Sequence, residues 1–291
     1  MAVETTTFSN NSADTWFRDI MFDCVLCPRA CHVNRLAGQT GYCGQTAELM
    51  AARASLHYWE EPCISGTSGS GTVFFSGCNL RCVFCQNHNI ALGKAGRVIA
   101  PEHLAEIFLQ LQEQGANNIN LVTPTHFLPQ IVIALEQAKQ QGLHLPIVYN
   151  TGSYESPEAL RHLEGLVDIY LPDLKYFSPE LSTAYSHAPD YFETACAAIS
   201  EMYRQVGDPV IDEDTGLMQH GMIVRHLLLP GQTKDSKKIL RYLHETYGDH
   251  IYISIMNQYT PLPQVADIEV LNRTVTPEEY DRVLRFAERI G

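Results

Sequence analysis

Thr72–Asn87, TVFFSGCNLRCVFCQN, begins as an apolar run and ends as a cysteine loop. Val73, Phe74 and Phe75 read as a buried strand that breaks at Ser76-Gly77. The loop beyond holds Cys78, Cys82 and Cys85 in the spacing C-x3-C-x2-C. In a cubane iron–sulfur cluster every iron needs a terminal ligand, so three thiolates leave one iron open to bind and activate something else. The alternatives are a zinc knuckle, which wants a fourth ligand, or three unrelated core cysteines. Neither accounts for the strand-then-loop setting.

The rest of the chain bounds the setting of this loop. A length of 291 residues suits one large α/β domain with an appendage. A net charge of -13 and a pI near 5.3 argue against a nucleic-acid partner, which wants a basic face. The N-terminal residues MAVETTTFSNNSADTW have neither the basic start nor the apolar core of a signal peptide. No stretch approaches the ~20 apolar residues of a membrane span, so the expected location is the cytoplasm, with no membrane partner. Nine cysteines in that compartment point to metal or redox chemistry rather than disulfides. All but Cys196 precede residue 86.

Residues 1–19 are polar and read as a loose arm on which Trp16 and Phe17 dock. A second cysteine set follows, Cys24, Cys27, Cys31 and Cys43, in C-x2-C-P-R-x-C-H-V-N-R and then GQTGYC. Four thiolates among turn-permitting glycines form a closed four-ligand site, suited to structural zinc or to a fully ligated 4Fe–4S cluster. Residues 47–59 read as a strand, and Cys63 and Cys196 as structural thiols. Residues 1–60 are thus expected to form an arm and a cysteine-rich metal-binding segment, and 61–291 the core domain.

From residue 72 strands and helices alternate, as in a parallel sheet. Strands are expected at 72–76, 118–123, 146–150, 167–172, 222–229 and 251–256. Helices are expected from Pro101 to near Gly115, from Pro129 to near Gly142, at Ser156-Pro157, over 191–206, over 234–247, and from Thr276, where Thr276 and Glu279 spell a capping box. Six strands are too few for a closed eight-stranded barrel, so the expected fold is a partial (β/α)6 TIM-like barrel with its site at the C-terminal strand ends.

Those ends carry polar groups. Strand two ends in Thr123-Pro124-Thr125-His126, and strand three in Asn150-Thr151-Gly152. Strand four ends in Asp173-Leu174-Lys175; two residues apart in a strand, Asp173 and Lys175 face the same way and can converge on one ligand. Strand five carries Arg225 and His226 on opposite faces, and Arg225 is taken as the inward one. Met256-Asn257-Gln258-Tyr259 closes strand six and can line the opening.

Between Cys24 and Gln258 the chain resembles the radical S-adenosylmethionine (SAM) superfamily, and within it the proteins similar to pyruvate formate-lyase activating enzymes. The resemblance rests on CxxCPRxCxVNR…GYC, WEEPCISG, SGCNLRCVFCQN with Phe84 directly before the last cysteine, LVTPTHF, the DLK strand end and MNQYTP. It implies a 4Fe–4S cluster on Cys78, Cys82 and Cys85, whose open iron takes the amino and carboxylate groups of SAM. It also implies SAM held near Asp173 and Lys175, with a monovalent cation near Asp173; Phe84 in the loop and Thr123, Thr125, Asn150 and Arg225 at the strand ends are the further candidates for the cofactor site. The implied reaction is reductive cleavage of SAM to a 5′-deoxyadenosyl radical that abstracts hydrogen. The electron comes from a flavodoxin- or ferredoxin-type donor, and the target is a glycyl radical enzyme, a peptide or a small molecule. A non-catalytic iron–sulfur electron carrier is the reading from another class. Two features depart from the minimal activating enzyme. Residues 20–60 have no counterpart there, and the Gly-Gly-Glu-type motif that binds the SAM amino group is replaced at strand two by threonines.

Overall fold

The computed structural model of the chain describes residues 12–291. In chain order the strands are β1 (Met50–His57), β2 (Ser70–Phe75), β3 (Arg97–Val98), β4 (Ile119–Val122), β5 (Ile147–Thr151), β6 (Ile169–Pro172), β7 (Val210–Ile211), β8 (Met218–Leu227) and β9 (Tyr252–Met256). The helices are α1 (Ser12–Phe22), α2 (Pro62–Ser65), α3 (His88–Ala91), α4 (Pro101–Glu113), α5 (Leu128–Gln140), α6 (Pro157–Leu160), α7 (Pro179–Ser186), α8 (Tyr191–Val206), α9 (Thr233–Tyr247) and α10 (Pro277–Ile290).

Six strands run parallel in the order β2-β4-β5-β6-β8-β9, the partial (β/α)6 barrel expected from the alternation. The expected strand at 47–59 is β1. It is hydrogen-bonded antiparallel to β2, with the short β3 antiparallel beyond it, so the segment before the cysteine triad extends the same sheet. The polar N-terminal stretch differs from its expectation. Up to residue 11 it lies outside the described residues, but from Ser12 it is helical. Phe17 and Met21 are buried in the main core, and Trp16 stacks on His162 with ring centroids 3.6 Å apart.

Period-two alternation assigns the two faces of the sheet. Val73, Phe75, Ile119, Leu121, Tyr149, Tyr170, Met222 and Val224 point toward the helices and share one core with Leu104 and Phe108 of α4, Leu135 of α5 and Ile199 of α8. Fully burying each such side chain contributes ~1.5–3 kcal/mol relative to exposure. Val148, Ile169, Leu171 and Ile223 face the other way and pack with Ile64 of α2. The Ile64 carbonyl accepts from Asn118, just before β4, at 2.7 Å. The segment after β1 therefore seals the barrel at the N-terminal ends of its strands, leaving the C-terminal ends as the open side. At the far end of the chain α10 begins at the expected capping box, with Thr276 and Glu279 each accepting from the other's backbone N–H.

Candidate active site

The β2–α3 loop carries the triad to the C-terminal strand ends. Two donors point at its sulfurs. The Leu80 N–H donates to Cys78 Sγ at 3.3 Å, and the Ser186 hydroxyl at the end of α7 donates to Cys82 Sγ at 3.0 Å. Phe84 is buried in a box of Tyr176, Tyr185 and Tyr259, all in edge contact at 6.1–6.4 Å. Gln264 reaches the Cys85 carbonyl and Gln86 the Gln258 carbonyl, each at 3.4 Å. The stretch after β9 therefore borders the triad loop, with Asn257 and Gln258 exposed.

Opposite the loop, four expected residues meet in one network. Lys175 Nζ donates to Asp173 Oδ2 at 2.6 Å, and Arg225 Nε to Asp173 Oδ1 at 2.8 Å. The Arg225 fork also reaches Asn150 Oδ1 at 2.6 Å and Glu60 Oε2 at 3.0 Å. Glu60, the residue that sequence reasoning missed, leads from β1 into α2. Its signal was a pair of acidic residues, Glu60-Glu61, directly before the helix that seals the barrel. Two carboxylates and two cations make the cluster neutral, as a shielded charged site requires. Burial raises the Asp173 carboxyl, but Arg225 and Lys175 outweigh it and hold it below the usual range. Burial disfavours the Lys175 ammonium, yet Asp173 keeps its pKa above the ordinary value. Glu60 goes the other way. Burial pushes it up, and Arg225, already shared with Asp173, only partly compensates. Tyr191 at the start of α8 fixes the backbone beneath. Its hydroxyl donates to the Asp173 carbonyl at 2.7 Å, with the Gly152 carbonyl as the alternative acceptor at 3.0 Å, and accepts from the Lys175 N–H (3.0 Å).

Other expected residues lie apart from this network. Thr123 takes a left-handed backbone, φ +56°, which ends the alternation of β4. Thr125 is consequently buried behind the strand ends, donating to Glu155 at 2.5 Å; Thr151 donates to the same carboxyl. Burial pushes Glu155 up to about 7 despite these donors. His126 is buried with Nε2 2.6 Å from the Ser76 carbonyl, and burial together with Arg35 depresses it to about 3. Its neutral ring therefore donates to Ser76. His226 faces outward between the Leu174 carbonyl and Ser236, at 2.8 Å from each.

The N-terminal cysteine loop packs directly on the triad loop. Arg29, between Cys27 and Cys31, donates to the carbonyls of Asn79 (2.8 Å), His187 (2.5 Å) and Ser186 (3.0 Å). Gly41 is required there, since a Cβ would meet Cys31 Sγ at 2.8 Å. So is Gly77, at φ +91°, where a Cβ would lie 2.7 Å from the Cys43 carbonyl oxygen. Among the described residues no three His, Cys, Asp or Glu side chains meet closely enough to chelate a single metal ion as they stand. The members of each cysteine set still act on one another electrostatically, Cys85 with Cys82 and Cys78, and Cys43 with Cys24 and Cys31. Burial pushes Cys27 and Cys85 up to about 12 and also raises Cys43 and Cys78. Thiolates are therefore unfavourable here without added positive charge. A cationic iron–sulfur core provides that charge, and N–H and O–H groups aimed at sulfur are how proteins stabilise one. The residues present fit such a group.

The comparisons with known proteins bear on the family and the fold. The family description "Radical SAM superfamily" matches residues 72–243. An uncharacterised protein of Methanocaldococcus jannaschii is 28% identical over 282 residues, 94% of this chain and 76% of that one. A pyruvate formate-lyase-activating enzyme of Clostridium pasteurianum is 29% identical over 121 residues, 39% of this chain and 48% of that one. Among solved structures, native anSMEcpe with bound AdoMet superposes with a TM-score of 0.50 at 14% identity, over 74% of this chain and 57% of that one. The chain thus spans little more than half the length of that structure, and the likeness is one of fold. Among the described residues no helix is long and apolar enough to cross a membrane.

Proposed function

This chain belongs to the radical SAM superfamily, and from that premise we propose that it reductively cleaves SAM and uses the 5′-deoxyadenosyl radical to take a hydrogen atom from its substrate. The observation that carries the reading is the neutral Glu60–Arg225–Asp173–Lys175 cluster at the open end of the barrel beside the Cys78–Cys85 loop, where a Cβ on Gly152 would meet both Leu80 of the loop (2.8 Å) and Lys175 (3.4 Å). Cys78, Cys82 and Cys85 would hold a 4Fe–4S cluster, which when bound would supply the electron for cleavage of the S–C5′ bond of SAM. The remaining work falls to the chain. Lys175, held in place by Asp173, can take the carboxylate of SAM through a charge-assisted hydrogen bond. Asp173, with Arg225 clamped behind it, can face a ribose hydroxyl or a monovalent cation. The tyrosines around Phe84 keep water from the loop, which a reactive radical demands.

The hydrogen donor is a glycyl radical enzyme, or a peptide or small molecule whose modification uses a second cluster. The activating-enzyme relative supports the first, and the extra cysteine set at Cys24, Cys27, Cys31 and Cys43 supports the second. We place the enzyme in the cytoplasm with an electron donor of the flavodoxin or ferredoxin type. Anaerobic reconstitution with iron and sulfide, then incubation with SAM and dithionite, tests the reading. 5′-Deoxyadenosine and methionine should accumulate, and Cys82→Ala should abolish both. A cluster-loaded protein that forms no 5′-deoxyadenosine would instead be an electron carrier. Metal analysis of Cys82→Ala separates zinc from about four remaining irons at the N-terminal set.

A further inference from the structure

We propose that the N-terminal cysteine loop is the electron inlet of the enzyme and that Tyr42 joins it to the triad. This rests on the reading that Cys24, Cys27, Cys31 and Cys43 hold a second 4Fe–4S cluster. Tyr42 is bonded to Cys43 through the backbone, and its N–H donates to Cys31 Sγ at 3.3 Å. Its ring lies beneath Arg29 at 4.0 Å and Arg81 at 5.2 Å. Its hydroxyl contacts the Leu80 carbonyl oxygen at 3.4 Å, and the Leu80 N–H points at Cys78 Sγ, 3.3 Å away. One side chain and one further residue therefore bridge the two sulfur sets, with two non-covalent contacts between Cys43 and Cys78. The close approach of Gly77 to the Cys43 carbonyl brings the backbones together at the same place.

The surroundings favour entry from the N-terminal side. The triad loop is covered by Ser186 and His187 through Arg29, by the tyrosines around Phe84, and by Gln264. Cys27 and Cys31 are half-buried, as Cys78 and Cys85 are, but the N-terminal loop alone is flanked in the chain by Phe22, Val25 and Leu36, which are 63%, 42% and 43% exposed. This apolar rim fits the one-electron donor protein. With clusters held at both cysteine sets, the one electron lost by the donor would be gained first at Cys24, Cys27, Cys31 and Cys43 and then, with Tyr42 between, at Cys78, Cys82 and Cys85, and no bond would be made or broken. Tyr42 is a positioning residue, its ring the medium between the two sites.

The test mixes the anaerobically reconstituted protein with reduced flavodoxin as the probe. Freeze-quenched samples are followed by electron paramagnetic resonance, and the triad signal is identified by its change when SAM is added. In the wild type the N-terminal signal should appear first and the triad signal follow it. Tyr42→Leu, with both clusters confirmed by iron and sulfide counts, should keep the first rate and lose the fast phase of the second. Tyr42→Phe keeps the ring without the hydroxyl contact, so it should fall between. Leu36→Lys should slow reduction by flavodoxin while leaving reduction by dithionite unchanged. Unchanged triad kinetics in both Tyr42 variants, or a triad reduced ahead of the N-terminal set, would overturn the inlet. Zinc at the N-terminal set would overturn it too. Normal reduction of both clusters without SAM cleavage would leave the inlet standing and count against the catalytic reading alone.

Discussion

Replacing Arg225 with Met tests the neutral cluster at the barrel mouth. The guanidinium bonds Asp173 at 2.8 Å, Glu60 at 3.0 Å and Asn150 at 2.6 Å, and Arg225 is the only ion-pair partner of Glu60 among the described residues. Its loss leaves two shielded carboxylates for one ammonium. Breaking a buried pair in this way costs about 3–5 kcal/mol, a large share of the ~5–15 kcal/mol that holds a typical domain together. The melting temperature should fall by about 5–8 °C, the unfolding entropy of a chain this long being ~0.6 kcal/mol/K. The sign of the pH dependence follows from the two carboxyls. Glu60 already sits above its ordinary range, and without Arg225 it rises further. Its ionisation then penalises the folded state increasingly as pH rises through that window. Asp173, held low by Arg225 and Lys175, contributes stability above its unfolded pKa, and part of that contribution goes with the arginine. Both effects widen the gap between variant and wild type toward alkaline pH. Anaerobic denaturant unfolding at pH 5 and pH 8, read by circular dichroism, measures the gap. Adding Glu60→Gln should restore part of the loss by removing the stranded charge. A deficit under about 1 kcal/mol, or one equal at both pH values, would refute the argument.

Two further perturbations test the surroundings. Ser186→Ala removes the hydroxyl that donates to Cys82; because that dipole favours added negative charge, the reduction potential of the triad cluster should drop in a redox titration. His126, held at about 3 by burial, contributes stability that is complete above its unfolded pKa and fades as pH falls from ~6.5 toward 3, by up to about 4–5 kcal/mol. His126→Gln can still donate to the Ser76 carbonyl, so its unfolding free energy should be flatter with pH across that window.

Much of this site can be read from alternation alone. Spacing by two sets Asp173 beside Lys175 and puts Arg225 and His226 on opposite faces, and the structure has Arg225 inward on Asp173 and His226 against Ser236 of α9. Alternation stops being informative where the backbone leaves the strand. Thr123 turns left-handed, so Thr125 goes to Glu155 rather than to the mouth. The acidic pair Glu60-Glu61 is visible locally, but nothing near it points to Arg225, which lies far along the chain, and such pairings depend on how the sheet closes. The direction of β1 was equally hidden, since a strand's composition is the same whichever way it runs. In α1, the polar residues around Trp16, Phe17 and Met21 mask a short apolar stripe that becomes visible only against the core.

The pairing of early cysteines with late elements also sets a timetable. Ser186 lies 104 residues after Cys82, and Arg225 lies 165 residues after Glu60. At ordinary rates of synthesis, 104 residues take about 5–20 s to add. Through that interval the triad has left the ribosome without the helix that covers it or the barrel that encloses it. Eight thiols then stand unshielded before oxygen and adventitious metals. Anaerobic growth, prompt cluster delivery or a chaperone over residues 24–85 would each raise the yield of active protein without altering a single contact in the finished fold.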